Sequence, residues 1–393
     1  MREGRLVLAQ LSDHLPWSEF ARCVQRYRPR YPSKSLSHWS QLLCMVFAQL
    51  TYRSSLRDTV TCLRSQSRKL YHAGIRGPIA RSTLADANEG RDARIFQDFA
   101  LHLIAQARAL YADEPTLLGS ASDATIYAVD STVVDLCLGL FAWAPASKGR
   151  AGVKMHTVLD LRGNIPTVID ITGSRGSDVS FLDRLPIEAG SIYIMDRGYM
   201  HAARLMKFTQ RAAFFVVRTF ADLHYQVIGS DCTQARPPVL SDEHVLLTGK
   251  HTGVDYGLPV RRVAVRDALR GKTLIFLSNN FELSAQQIGQ LYKARWQVEL
   301  FFKCVKKHLR IKSFFGNSQN AVKIQLWTAI STYVLVAIVK KRLACHASLH
   351  DMFQVLSLNL FETTPLERLF DQLLASIEEK DLQIPLFEKI AGQ

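Results

Sequence analysis

Two aspartates stand where the sequence predicts that two strands end. Asp130 follows the alternating run 126–129, and Asp196 follows the compact apolar run 191–195 (SIYIM). Ligands of open α/β sheets gather outside the carboxyl ends of strands, so these acids come together if their strands are neighbours. Two adjacent buried carboxylates repel each other, and a divalent cation such as Mg²⁺ or Mn²⁺ is their natural neutraliser. For either acid alone, the ordinary structural interpretation is a strand-end cap or turn former. Four further aspartates fall within strands or loops, and we assign them structural roles: Asp135, Asp160, Asp170 and Asp178.

A third acid, Glu299, lies on a long predicted helix that begins after the cap residue Ser284 and covers residues 285–309. At about 100° per residue, four side chains of this helix share a stripe about 60° wide. They are Tyr292, Arg295, Glu299 and Lys306. Glu299 is the only acid between residues 292 and 312, against seven cations. The alternative is an amphipathic surface helix on which Arg295 and Glu299 simply pair four residues apart.

The charge balance indicates a polyanionic partner. The chain has 49 Lys and Arg against 35 Asp and Glu, a formal net charge of +14. Nucleic acid and an anionic membrane surface are the partners that such a protein commonly meets. Trp296, beside the stripe of Glu299, is either a partly covered surface aromatic or a platform on which a nucleobase stacks.

The same sequence argues against a membrane or secreted protein. The most lipid-like run, 327–339, is shorter than the roughly 20 residues of a spanning helix, so we predict a buried core helix there. The N-terminus has no apolar signal core. Seven scattered cysteines without a C-x-x-C pair predict neither a disulfide framework nor a structural zinc site. A cytoplasmic, DNA-associated protein is therefore expected.

The elements that must position the acids form an α/β arrangement. Residues 1–115 read as helical and hold 17 basic and 10 acidic residues. The pattern then changes to strands, with a mixed sheet and packed helices as the expected result. The predicted strands are 126–132, 153–161, 165–172, 191–195 and 212–218, and the predicted helices between them are 181–185 and 200–210. Residues 219–283 show short strand-like runs and no convincing helix.

Five segments follow from this pattern. They are a helical N-terminal domain (1–115), the first part of an α/β core (116–218), a β-rich insertion (219–283), the last part of that core with the Glu299 helix (284–345) and a helical C-terminal region (346–393). The basic residues of the N-terminal domain are consistent with a DNA-binding domain and equally with a solvated helical face.

Three blocks of the sequence, taken in order, resemble the insertion-sequence-4 family of transposases. The stripe from Tyr292 to Lys306 resembles the Y-R-E-K motif of that family. The block 196–199 (DRGY) resembles the surroundings of the second catalytic acid, and 129–132 (VDST) those of the first. Residues 36–111 resemble the N-terminal domain of one branch of the family. The resemblance covers nearly the whole chain.

The resemblance implies an RNase H-like mixed sheet with a β-rich insertion before the last catalytic helix. It implies a catalytic and metal-binding triad of Asp130, Asp196 and Glu299 that holds two Mg²⁺ ions, for which Mn²⁺ substitutes. Tyr292, Arg295 and Lys306 would bind DNA phosphates. Cut-and-paste transposition of insertion-sequence DNA is implied, with a hairpin intermediate whose unstacked base Trp296 or Trp143 would receive. A homodimer would hold two terminal inverted repeats and target DNA in a synaptic complex.

Two other functions remain compatible with the residues alone. A catalytically inactive DNA-binding descendant would keep the basic surface and lose metal-dependent nicking. A stand-alone RNase H-like nuclease would cleave without depending on the ends of a particular element.

Overall fold

The computed structural model of the chain describes residues 4–27, 35–119, 123–136, 141, 143, 146–147, 150–173, 177–230, 237–249, 252–267, 271–307, 309 and 314–371. Within it the chain divides into two compact units. A helical unit comprises Met1–Tyr111, Gly139–Trp143 and Lys303–Gln393. A sheet unit comprises Ala112–Leu138 and Ala144–Phe302.

The helical unit is built around one long buried helix. Its helices are Val7–Ser12 (α1), Trp17–Arg26 (α2), His38–Leu50 (α3), Leu56–Ser65 (α4), Ser67–Leu70 (α5), Arg81–Gly90 (α6), Ala93–Tyr111 (α7), Gln319–Arg342 (α13) and Leu349–Asn359 (α14). Helix α13 packs against α3, α6, α7 and α14. By length and composition α13 is the one helix among the described residues that could cross a membrane, but 94% of its most apolar stretch is buried inside the protein.

The prediction of a buried core helix at residues 327–339 is therefore confirmed, although the helix is longer than that run. Polar residues such as Gln325, Thr328 and Ser331 are buried as well, so α13 has no solvent-facing stripe between residues 324 and 339. A helix that is buried on all sides shows little periodicity, which is why the apolar run alone marked only part of it.

The sheet unit carries ten described strands with helices on both faces. The strands are Ile126–Leu136 (β1), Ala146–Ser147 (β2), Arg150–Asp160 (β3), Ile165–Gly173 (β4), Ile192–Met195 (β5), Phe214–Arg218 (β6), Tyr225–Ser230 (β7), Val239–Leu247 (β8), Val260–Asp267 (β9) and Lys272–Ser278 (β10). The helices are Asp178–Phe181 (α8), Ala202–Gln210 (α9), Thr252–Asp255 (α10), Ala285–Ala294 (α11) and Trp296–Lys307 (α12), whose last turns belong to the helical unit.

The strand order is β2-β3-β1-β5-β6-β10-β9-β8-β7, with β4 also paired to β3. Strands β1, β5 and β6 run parallel at the centre, and the pairs on either side are antiparallel. The predicted mixed α/β sheet is thus confirmed. Residues 219–283 carry β7 to β10, which extend the same sheet beyond β6. They also contain α10, a single turn that the sequence analysis missed because four residues are too few to show a period.

The central strands are buried on both faces, as parallel strands usually are. Tyr127, Val129 and Met195 belong to one apolar cluster, which includes residues of α9. Ile126 and Ile194 belong to the other, which includes residues of α11. Successive side chains of a strand point to opposite faces, so the even-numbered positions of β1 face α11 and the odd-numbered positions face α9.

The predicted single helix over residues 285–309 is wrong in one respect. Two helices, α11 and α12, meet at Arg295, whose backbone remains helical (φ −53°, ψ −29°). Around it the bonds tighten to a three-residue spacing, from Arg295 N–H to Tyr292 O and from Val298 N–H to Arg295 O. No proline or glycine marks the joint, so the sequence carried no signal for it. The described helix ends at Lys307.

Candidate active site

Asp130 and Asp196 lie at the same level of the sheet, where β5 ends. The prediction that the first strand ends at Asp130 is wrong, because β1 continues to Leu136 in its pairing with β3. Strands β1 and β5 are parallel neighbours, with Val129 paired to Met195. Each acid is the next residue after a member of that pair. Neighbouring strands lie about 4.8 Å apart, so the two acids begin from adjacent backbone positions. The condition set by the sequence analysis, that their two strands be neighbours, is met.

Asp130 has an even-numbered position on β1 and therefore faces the α11 side of the sheet. Its Oδ2 accepts a hydrogen bond from Arg295 Nη1 at 2.7 Å, and its Oδ1 accepts one from the Ser131 backbone N–H at 2.8 Å. Only 17% of the Asp130 side chain is exposed. The carboxylate is thus held by one fixed backbone donor and one movable cation.

Burial dominates the electrostatics of Asp130. It raises the pKa of this carboxyl from its usual 3.8 to about 6. Arg295 and the Ser131 backbone N–H oppose the shift, whereas Asp196 and Glu299 add to it as like charges. Both neighbouring acids therefore act electrostatically on Asp130.

Arg295 joins Asp130 to Glu299. Its Nη2 donates to Glu299 Oε1 at 2.5 Å while Nη1 holds Asp130. The Arg295 side chain is 16% exposed and Glu299 is 46% exposed. Burial alone would lower the pKa of Arg295, but Asp130, Tyr292 and Glu299 together raise it, so the guanidinium remains charged. The i,i+4 pair of the alternative interpretation is present, yet the same guanidinium also reaches an acid on β1.

Asp196 begins a 3-10 turn, Arg197–Tyr199. Its Oδ1 accepts a hydrogen bond from the Gly198 N–H at 2.8 Å. A Cβ atom at Gly198 would lie 3.0 Å from that oxygen, closer than side chains normally approach. Glycine at position 198 therefore leaves room for the Asp196 carboxylate, which gives the DRGY block a physical reason.

The remaining predicted residues are placed as follows. Tyr292 lies at the end of α11, packs on Phe276 with ring centres 4.6 Å apart, and has the Arg295 guanidinium 5.7 Å from its ring centre. Trp296 begins α12 and is 53% exposed. Lys306 is partly buried on the last turn of α12, in the helical unit. Trp143 also lies in the helical unit, where its indole donates to the Asn317 carbonyl.

The described residues contain no group of three or more His, Cys, Asp or Glu side chains gathered closely enough to hold a metal ion. Asp130 and Glu299 instead share the Arg295 guanidinium. Their oxygen donors suit a hard divalent cation, and a positive group already lies between two of them. Chemically, the arrangement presents Asp130 on β1 and Glu299 on α12 around a position that accepts positive charge.

Sequence analysis missed a second polar group on the opposite face of β1. Asp178, assigned a structural role, accepts a hydrogen bond from Ser131 Oγ at 2.5 Å and lies 3.2 Å from Lys154 Nζ. His156 is fully buried beside it and stacks on Phe181. The available signal was the polar face of β3, where Lys154 and His156 alternate with apolar residues inside a strand that is otherwise buried.

Comparison with known proteins identifies two matching families. The family described as "Transposase DDE domain" matches residues 121–335, more than half of the chain and all three acids. A domain of unknown function (DUF4372) matches residues 3–76.

Three relatives carry names that describe them as transposases. The protein y4zB of Sinorhizobium fredii is 34% identical over 259 residues, which is 65% of this chain and 70% of the relative. The relative from insertion sequence element IS5377 of Geobacillus stearothermophilus is 31% identical over 53% of this chain and 55% of its own. The relative from element IS4SA of Synechocystis is 23% identical over 81% of this chain and 88% of its own.

Among solved structures, the piggyBac transposase synaptic complex with hairpin DNA matches with a TM-score of 0.45 and 11% identity, over 92% of this chain and 82% of that chain. At this level of similarity the fold assignment rests on the sheet described above. The match to the DDE domain, with the 34% identical relative, decides the family. The chain belongs to the family of transposases with a DDE domain.

Proposed function

We propose that this protein moves an insertion sequence by metal-dependent cleavage and strand transfer at the ends of the element, with Asp130, Asp196 and Glu299 as its catalytic triad. The observation that carries the proposal is the convergence of the acids. Asp130 and Asp196 follow paired residues of two parallel strands, and Arg295 binds Asp130 and Glu299 together. In this proposal the family membership supplies the reaction class, and the geometry supplies the residues.

The proposed catalytic core is RNase H-like. The order β4-β3-β1-β5-β6, with three antiparallel strands followed by two parallel ones, supports it. In this interpretation β7 to β10 are the β-rich insertion and α11 with α12 is the last catalytic element. Residues 1–115 and 346–393 remain the proposed DNA-binding and C-terminal regions.

Transposase DDE domains generally use divalent metal ions, and the donor atoms of the three acids suit such ions. The donors are carboxylate oxygens, which Mg²⁺ and Mn²⁺ prefer. The Arg295 guanidinium acts as a stand-in cation between Asp130 and Glu299, which indicates that these acids accept positive charge at that position. We propose that Asp130, Asp196 and Glu299 hold two Mg²⁺ ions. When bound, two such ions activate the attacking oxygen and stabilise the leaving oxygen of an in-line displacement.

The chain's own residues then bind and orient DNA. Arg295, once released from the acids, binds a phosphate near the cleaved end, and its planar fork suits that ligand. The exposed Trp296 ring provides a surface on which an unstacked base of a hairpin end rests. The Tyr292 ring packs against the Arg295 guanidinium and helps to orient it toward the phosphate. Lys306 adds a further phosphate contact.

The proposed order of reactions is the one that the resemblance to insertion-sequence transposases implies. Water attacks the phosphodiester at the element end and frees a 3′-hydroxyl. That hydroxyl attacks the opposite strand, which closes a hairpin and releases the flanking DNA. A second water opens the hairpin and regenerates the 3′-hydroxyl, which then attacks a phosphodiester of the target DNA. Two ends must be joined in one event, so we propose a homodimer that holds both ends in a synaptic complex. The reaction takes place on cytoplasmic, nucleoid-associated DNA.

A cleavage assay tests the proposal. A labelled duplex carrying the DNA end that flanks the coding sequence is incubated with Mg²⁺ or with EDTA, using wild type, Asp130→Ala and the control Asp135→Ala. Asp135 lies on the same strand but is exposed at its far end. We expect metal-dependent nicking at the end that only Asp130→Ala abolishes.

Two outcomes would overturn the proposal. Binding of the end without cleavage in any of the proteins would indicate a non-catalytic DNA-binding descendant. Cleavage that ignores the identity of the end would indicate a stand-alone nuclease.

A further inference from the structure

We infer that Asp178 is a positioning residue that fixes the Asp130 carboxylate and the Asp196 turn from the opposite face of the sheet. This inference rests on the proposed function of the acids. Asp178 would touch neither the metal ions nor DNA. It would act through its bonds to Ser131 and Lys154 and through the packing of α8 on the turn that follows Asp196.

The faces of β1 separate Asp178 from the acids. Asp130 faces α11 and Arg295, whereas Ser131, one residue later, faces the α9 side. Ser131 is paired to His156, and Val133 is paired to Lys154, so the polar side chains of β3 share that face with Ser131. Asp178, the first residue of α8, meets them there.

Ser131 connects the two carboxylates. Its hydroxyl donates to Asp178 Oδ1 at 2.5 Å, and its backbone N–H donates to Asp130 Oδ1 at 2.8 Å. One residue therefore bonds to a carboxylate on each face of the sheet. If the Ser131 side chain loses its anchor, the peptide that holds Asp130 loses a restraint as well.

Buried partners hold Asp178 in this position. Lys154 Nζ lies 3.2 Å away, and the Lys154 side chain is 12% exposed. His156 Nδ1 lies 3.7 Å from the same Oδ1 oxygen, and the imidazole stacks on Phe181 at the other end of α8. Asp178 itself is 36% exposed, so its location comes from these partners rather than from burial.

The same short helix also supports the second acid. Helix α8 packs against the 3-10 turn Arg197–Tyr199, which follows Asp196 directly. Tyr199 is buried, and its ring belongs to the same apolar cluster as Phe181 and Met195. Asp178 and α8 thus restrain both segments whose acids are proposed to share metal ions, the middle of β1 and the turn after β5.

Residues behind metal ligands set the geometry of the ligands, and their removal typically lowers metal affinity by about 10–100-fold. We therefore expect Asp178→Ala to raise the half-saturating Mg²⁺ concentration for end cleavage, and the Kd for Mn²⁺ followed by electron paramagnetic resonance without DNA, by about tenfold or more. Binding of the DNA end in EDTA should not change. Mn²⁺, which binds such ligands more tightly than Mg²⁺, should restore much of the cleavage.

Matched variants separate positioning from general damage. Asp183→Ala is the control, because Asp183 is 38% exposed and its two ion pairs go to Arg204 and Lys207 of α9. It should leave both metal measurements at the wild-type value. Asp178→Asn keeps an oxygen that accepts from Ser131 and should shift them less than Asp178→Ala.

Three further variants test the connection through Ser131. Ser131→Ala should weaken metal affinity as much as Asp178→Ala does, and Ser131→Thr, which keeps a hydroxyl, should weaken it less. The double variant Asp178→Ala with Ser131→Ala should lose no more metal affinity than the more affected of the two single variants. If Asp178→Ala unfolds the protein, the Ser131 variants decide the question alone.

The failures are distinguishable. Wild type that neither cleaves nor binds Mn²⁺ would remove the proposed function. Wild type that does both, with Asp178→Ala and Ser131→Ala matching it in metal affinity, would refute the positioning role while leaving the triad intact. Additive effects in the double variant would also refute the connection through Ser131.

Discussion

Replacing Arg295 by glutamine should tighten metal binding even though it impairs the reaction. The guanidinium occupies the space between Asp130 and Glu299, with bonds of 2.7 and 2.5 Å. A dication that binds both acids must displace it. Arg295→Gln removes the competitor and the local positive charge but keeps a side chain of similar length.

The magnitude follows from the two bonds. A hydrogen bond to a charged group contributes about 1.5–3 kcal/mol. The contribution of Glu299 is discounted, because this side chain is 46% exposed and water screens the pair. A total of about 2 kcal/mol remains, and at tenfold per 1.4 kcal/mol this is a factor of about 30 in metal affinity.

DNA supplies the second half of the prediction. If an end phosphate takes Arg295 away from the acids, the DNA end should tighten metal binding in wild type, and metal should tighten end binding by the same factor. The coupling should be lost in Arg295→Gln, which has no guanidinium to transfer.

The assay is Mn²⁺ binding measured by the electron paramagnetic resonance of the free ion, with and without a pre-cleaved end duplex. Arg197→Gln is the control for charge, since it also removes one cation next to a proposed metal ligand, Asp196. In the structure the Arg197 guanidinium packs on the Phe220 ring. Equal Mn²⁺ affinity in wild type and Arg295→Gln would refute the competition. Unchanged coupling in Arg295→Gln would refute the transfer to phosphate.

Three further predictions test other parts of the protein. Glu299→Gln should abolish end cleavage while end binding in EDTA persists, and cleavage near the wild-type rate would remove Glu299 from the triad. Lys306→Ala should lower the slope of log affinity against log salt by about one, in a filter-binding titration, and an unchanged slope would make Lys306 a bystander. Burial, with a smaller effect of Arg91, lowers the pKa of His38 from 6.5 to about 4. As the pH falls, His38 is therefore protonated in the unfolded chain before it is protonated in the folded protein. This should lower the free energy of unfolding by about 2 kcal/mol between pH 7.5 and 5.0. In urea unfolding followed by tryptophan fluorescence, the free energy of unfolding of His38→Gln should fall by about 2 kcal/mol less than that of wild type between pH 7.5 and 5.0. An equal fall in both proteins would contradict the lowered pKa of His38.

The beginnings of both strands and the end of β5 before Asp196 were predictable because local patterns encode them, whereas β1 runs past Asp130 because it stays paired with the long strand β3. The runs before Asp130 and Asp196 are short, apolar and bounded by polar residues, and such runs form strands with little help from distant contacts. The cation-rich surroundings of Glu299 singled it out without any tertiary information. Its catalytic role, like that of the other two acids, remains a prediction.

Tertiary structure decided which of these elements meet. The pairing of β1 with β5 depends on hydrogen bonds between residues that are distant in the chain, so the sequence could only state it as a condition. The break at Arg295 and the reach of its guanidinium to Asp130 depend on how α11 packs on the sheet.

Asp178 shows the same division between sequence and structure. In the sequence it is one aspartate among several in loops and strands. Its bonds to Ser131 and Lys154 arise only because β3 lies beside β1 and α8 folds back onto them. Residue types and periodicity therefore determined the candidate chemistry and the local elements. Long-range pairing determined which side chains share a site, because contacts between distant residues leave no local pattern in the chain.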